Sequence, residues 1–252
     1  SIGGFAGRNE SQTIENIIAL TDIQLVSISG MTSVGGLFGY SYTADGQGSL
    51  ENVHVSGRIN ATSTNELQGI GGLIGQHTGG TISKTSSEVG LALSADSGYI
   101  DTVGGMIGGV TAPLSISDSY WAGAIHATSS QSYMNYIGGI IGVDGAGATI
   151  SKSYAAGDIV ASVANPNVIQ GVAGLVGSAR TNISNSFVAV SIATSSSDDL
   201  YVGAMTGYAA DISTFTNSFY DKTLAGDRLC ASDQGPDPAG CRFVAVASTA
   251  GS

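Results

Sequence analysis

Ile137-Gly138-Gly139-Ile140-Ile141-Gly142, followed after a short loop by Ile150-Ser151-Lys152-Ser153-Tyr154-Ala155-Ala156-Gly157-Asp158-Ile159, decides the fold because both phrases recur along the whole chain. The first recurs as Ile2-Gly3-Gly4-Phe5-Ala6-Gly7, Val34 to Gly39, Ile70 to Gly75, Val103 to Gly108, Val172 to Gly177 and Val202-Gly203-Ala204-Met205-Thr206-Gly207. The starts lie 32, 36, 33, 34, 35 and 30 residues apart, so the chain is a tandem array. The second phrase opens at Ile14, Leu50, Ile82, Ile116, Ile150, Ile183 and Phe215. Six of these reach another aliphatic nine positions on: Ile23, Ile59, Leu91, Ile125, Ile159 and Ile192.

Helical repeats of this length exist, but a helix cannot carry two or three glycines in every such block, each costing about 1 kcal/mol against Ala. Apolar or small residues at offsets three, five, seven and nine, as in Val53, Val55, Gly57 and Ile59, have the period of a strand. Strands recurring at this interval satisfy their backbone by stacking each repeat on the last, about 4.8 Å apart, so that like residues form ladders. The expected fold is an all-β, parallel β-solenoid of seven coils over residues 1–224, with a C-terminal tail at 225–252. One interior ladder is Ile14, Leu50, Ile82, Ile116, Ile150, Ile183 and Phe215; a second is Leu37, Leu73, Met106, Ile140, Leu175 and Met205. Ser119, Ser153, Ser186 and Ser218 suit a tight inner corner. Asn16, Asn52, Asn185 and Asn217, replaced elsewhere by Lys84, Asp118 and Lys152, suit a bend whose side chains satisfy turn amides.

Composition excludes other classes. Only 27 of the 252 residues are charged, while 42% are hydrophobic, which excludes disorder driven by charge. The glycines have no three-residue period, so the chain is not collagen-like. No apolar run is long enough for a membrane-spanning helix, and no basic-then-apolar leader opens the chain, which reads as a soluble mature fragment. A net charge of −11 with eight cations argues against nucleic acid as a partner.

The phrase x-I-x-N-S-Y-x-x-G-x-V with V-G-G-L-V-G resembles the GLUG repeat of large bacterial surface proteins, including adhesins and the N-terminal regions of some immunoglobulin A peptidases. Ile150 to Ile159 and Ile70 to Gly75 carry it best, and it spans residues 2 to about 224. The resemblance implies a secreted or surface-displayed bacterial module for adhesion or structural spacing, with no catalytic signature of its own. Departures fall at the ends, where Ile18 replaces an aromatic and the block at Val202 is degenerate, as terminal repeats of a solenoid are.

Offset four points outward and reads Ile18, His54, Ser86, Tyr120, Tyr154, Phe187, Phe219. Tyr120, Tyr154, Phe187 and Phe219, with Trp121 beside them, are the candidate binding residues, suited to a glycan or a protein ligand on a host or environmental surface. The same column also reads as a stacking ladder that stiffens the coil. Cys230 and Cys241, eleven positions apart, could be a disulfide, a metal site, a redox pair or free thiols. C-x-x-C is absent and zinc needs more ligands, so the even count and extracellular-type composition favour a disulfide closing the Asp233–Pro238 loop and capping the last coil.

No catalytic residues are assigned. Asp118 with Lys152, and Asp101 with Asn135 and Gln68, read as solvated turn residues. His54, His77 and His126 share no column, so no metal triad is indicated, and no G-x-S-x-G elbow occurs. No cofactor is expected; 14 Asp and the pair Asp198-Asp199 leave room for an isolated Ca2+, without a calcium motif. Regular Thr columns for ice binding are missing. Besides adhesion or spacing, the architecture admits homotypic end-to-end or lateral association into a filament or surface layer and, as a third class, polysaccharide cleavage along the coils.

Overall fold

A computed structural model describes residues 1–42, 48–164, 167–196, 198–209, 213–232 and 238–245. Among these residues the chain is a parallel β-solenoid made of two seven-stranded sheets and one thirteen-stranded sheet. Successive coils supply successive strands of each sheet. In the first sheet, Ile2–Gly3, Met31–Gly35, Leu67–Gly71, Ile100–Gly104, Met134–Gly138, Val168–Ala173 and Asp198–Gly203 follow one another in chain order. Seven strand levels enclose six intervals, so the solenoid makes about six turns at a spacing of about 34 residues rather than the seven coils expected.

Register is in phase throughout. Leu50 pairs with Ile82 and Ile116 with Ile150, and every member of that aliphatic ladder from Leu50 onward is buried, with Ile14 partly so at the end of the stack. The second ladder, from Leu37 to Met205, is fully buried. The two lie back to back and make one continuous core, because strands of period two send alternate side chains inward from every side of the coil.

Glycines recur where coils touch backbone to backbone. A Cβ on Gly142 would lie 2.6 Å from both the Gly108 carbonyl oxygen and the Val103 nitrogen. The sharp bends use the left-handed region at ordinary residues: Asn16, Asn52, Lys84, Asp118, Lys152, Asn185 and Asn217 all have φ between 46° and 58°. The expected role of the asparagines changes in detail. Asn52 Nδ2 donates to Asn16 Oδ1 at 2.7 Å and Asn217 Nδ2 to Asn185 Oδ1 at 2.8 Å, so neighbouring asparagines bond each other along the stack.

The tail does not form a cap. It continues the winding: Cys241–Val244 pairs in parallel with Ser218–Asp221, and Ala231 bridges Thr206. A strand laid on the last coil covers one edge but offers its own, so the stack remains open there. Cys230 and Cys241 form a disulfide with Cα atoms 6.5 Å apart. Asp233–Asp237, most of the loop between them, lies outside the described residues. Among the described residues no helix is long and apolar enough to cross a membrane.

Candidate functional site

The outward aromatic column is held by the corner beneath it. After the left-handed bend residues Asp118, Lys152, Asn185 and Asn217 comes a buried serine whose hydroxyl serves two coils at once. Ser153 Oγ donates to the Ser151 carbonyl at 2.8 Å and accepts the Ser119 N–H at 3.3 Å. The same relay runs from the Thr85 N–H to Ser119 Oγ, from Ser153 N–H to Ser186 Oγ and from Ser186 N–H to Ser218 Oγ. A bend removes backbone groups from the ladder, and buried N–H groups need acceptors; small hydroxyl side chains supply them without widening the corner. The next residue along then points outward, and in this position stand the aromatics.

Tyr120 pairs in register with Tyr154, Tyr154 with Phe187, and Phe187 with Phe219. The Tyr120 and Tyr154 rings are stacked at 4.7 Å between centroids and 4° between planes. That separation is the spacing between strands, so the ring planes lie across the solenoid axis and the pair shows its edges and hydroxyls to solvent. Tyr120 Oη donates to Glu88 Oε1 at 2.9 Å. Tyr154 is 41% exposed, and partial burial, then the neighbouring Tyr120 and Glu88, push its phenol pKa up. Phe187 and Phe219 are half-buried. The column continues upward into Ser86 and His54, which share a 2.6 Å hydrogen bond, and downward into Arg242.

Trp121 does not join this surface. It is 0% exposed and belongs to the inward column between Ser87 and Ala155. Its indole fills space left by glycines: Cβ atoms at Gly105, Gly139 and Gly123 would lie 2.4, 2.8 and 2.9 Å from its ring atoms. It is a core residue, unavailable to a ligand.

Gln68, Asp101 and Asn135 do meet in one row of the first sheet. Burial raises the Asp101 pKa, while hydrogen bonds from Thr102 and Asn135 oppose the rise. Asp118 and Lys152 occupy successive bends, as does Lys84, whose Nζ reaches Glu51 Oε1 at 2.8 Å. Glu51 and, secondarily, Asp118 raise the Lys84 pKa. The histidines are dispersed: His54 and His126 point outward in different columns, and His77 is buried. Among the described residues no three His, Cys, Asp or Glu side chains come together as a metal site. The Asp199 carboxylate accepts the hydroxyls of Thr194 and Ser196.

Two constellations escaped the sequence. Tyr99 and Tyr133 stack at 5.2 Å and 5°, and Tyr99 Oη donates to Glu66 Oε2 at 2.5 Å. That bond to a carboxylate, with burial, pushes the Tyr99 pKa up to about 12. Both tyrosines immediately precede the strands opening at Ile100 and Met134, a shared phase that marks them. Buried Asp144 accepts the N–H groups of Ala146, Gly147 and Ala148 and the Thr181 hydroxyl, which fixes the loop after Gly142. No signal in the repeat pattern announces it.

Comparison with protein-family models, with curated proteins and with solved structures finds no match to this chain.

Proposed function

We propose that this chain is a non-catalytic structural module of a secreted or surface-displayed bacterial protein, related to the GLUG repeats it resembles, whose task is to space and present a binding surface. The observation that carries the reading is the stacked Tyr120–Tyr154 pair with Phe187 and Phe219 in register. One face of each of the two tyrosine rings, which a sugar would need for stacking, is spent on the neighbouring coil. What the repeats preserve is contact between coils, and a solenoid held mainly by nearest neighbours gains length simply by adding units. The disulfide between Cys230 and Cys241 suits an oxidising, extracellular compartment.

The exposed edge of Tyr154 supports a second reading, in which this stripe is itself an adhesive strip for a protein or glycan surface. One experiment separates the two. The chain is placed between a cell-surface anchor and a binding domain of known ligand, and compared with a version lacking residues 103–136 and with the triple variant Tyr120→Ser, Tyr154→Ser, Phe187→Ser. As a spacer, the shortened module folds and lowers the reach of the binding domain by about 4.8 Å, while the triple variant leaves attachment through that domain unchanged. If the bare module binds cells or a glycan array and the triple variant does not, the stripe is the adhesive element. Failure of the shortened module to fold contradicts the spacer reading.

A further inference from the structure

The end of the solenoid at the first coil differs from every coil above it. Thr13–Ser27 is a fifteen-residue strand paired on one side only, with Ser49–Ser63 of the next coil. Edge strands are normally blunted by Lys, Pro or brevity. This one has no Lys or Pro; its outward side chains Ile18, Leu20 and Val26 are 87, 84 and 87% exposed, and Ile28, just past its end, is 85% exposed. In the next coil the first three of these positions are His54, Ser56 and Thr62. An added strand of either direction satisfies the edge backbone and leaves these side chains on the same face of the sheet, so the partner is distinguished by whether it sets apolar side chains beside them.

We infer that this edge pairs antiparallel with the same strand of a second copy, closing a two-fold dimer through its first coil. The sequence is self-complementary in one register. Setting Ile23 opposite its own copy places Ile18 against Ile28 and Leu20 against Val26, four apolar cross-strand pairs in all. Asp22 then faces Gln24, a side chain that already donates to Asp22 Oδ1 at 3.3 Å within one chain. A shift of two residues in one direction sets Asp22 against Asp22, and in the other sets Asp22 against Val26. The Asp22 charge is also balanced at home, because Arg58 Nε and Nη2 each bond it at 2.9 Å.

Head-to-tail stacking is disfavoured by the other end. Phe187–Ser195 is paired along its length with the preceding coil, but on its far side only at Phe187 and Val188, and the helical turn Lys222–Ala225 packs against it. Among the described residues no edge of matching length is offered there. Eleven paired residues per copy make a contact about 36 Å long. With side-chain layers on both faces this covers on the order of 800 Å2 in two copies, and exposed Phe5 and Ile2 at the same end bring it toward the roughly 1,200 Å2 at which stable interfaces begin. The interface is isologous, so it closes at two copies and does not grow.

Sedimentation of the 252-residue chain at about 50 µM should give twice the monomer mass of 25.1 kDa. Leu20→Lys/Val26→Lys should sediment as a monomer with an unchanged far-ultraviolet spectrum, since both side chains project away from the core. Leu20→Cys/Val26→Cys should form an interchain disulfide under mild oxidation. The two positions lie about 20 Å apart within a strand, too far to bridge internally. Leu20→Cys alone should not cross-link, because its copies lie six residues out of register. A wild-type monomer, a mass that rises without limit, a dimeric Lys variant, or equal cross-linking by Leu20→Cys alone would each overturn the assignment.

Discussion

Replacing Ser153 with Ala removes one oxygen from the corner relay and strands a single group. The Ser151 carbonyl keeps a partner, since the Asp118 N–H donates to it at 3.2 Å. Ser153 N–H still donates to Ser186 Oγ. The Ser119 N–H, by contrast, loses its acceptor at a corner where Ser119 and Ser153 are both 2% exposed. An unsatisfied buried donor costs about 1–3 kcal/mol, so the Ser119 amide should lose roughly 5- to 150-fold of its hydrogen-exchange protection, with smaller losses in the two adjoining coils. Exchange resolved by residue is the suitable assay, because repeat arrays depart from two-state unfolding. Ser153→Thr retains the oxygen and should recover most of the protection, as Thr85 already occupies this column and donates to the Ser83 carbonyl at 2.9 Å. Unchanged protection in Ser153→Ala, or equal losses in both variants, would refute the relay as a source of stability.

The remaining predictions concern other parts of the coil. Burial holds the His77 pKa down at about 4, against a weak opposing contact to the Ser41 backbone. The unfolded chain therefore takes up the proton first, and stability that is complete above pH 6.5 should fall by up to about 3 kcal/mol as the pH drops toward 4; His77→Leu should flatten that stretch of the stability profile. Gly142→Ala should cost about 3 kcal/mol or more by forcing rigid backbones apart, whereas Gly90→Ala, whose Cβ would meet its nearest neighbour at an ordinary 3.9 Å, should leave the melting temperature nearly unchanged. Removing the disulfide by Cys230→Ala/Cys241→Ala should cost about 2–3 kcal/mol, confined in exchange measurements to the last coil and tail.

Much of this was legible because repetition turns long-range contact into a column of letters. Once Ile14, Leu50, Ile82 and Ile116 are aligned, their pairing and shared inward direction follow without knowledge of the rest. The parity that sends Tyr120 outward also sends Trp121 inward. Its burial was thus readable, though the glycines that make room for an indole, Gly123 on its own strand and Gly105 and Gly139 in the turns of two coils, were not. A second set of left-handed residues, Ser33, Thr102, Tyr136 and Tyr201, with Gly69 and Gly171 at the same phase, has no common chemistry and left no trace in the pattern. The tail was misjudged for a related reason. A disulfide read as a closure, yet Cys241–Val244 pairs as one more strand, because an open parallel edge is satisfied most simply by continuing it.

The central claim is that equivalent residues of successive units sit side by side. Spin labels at Ala122 and Ala156, thirty-four residues apart in sequence and paired on adjacent outward rungs, test it directly. In-register stacking brings their backbones to about 4.8 Å and predicts strong dipolar broadening of the resonance in the doubly labelled chain. Lines as narrow as the sum of the two single-label spectra would contradict it.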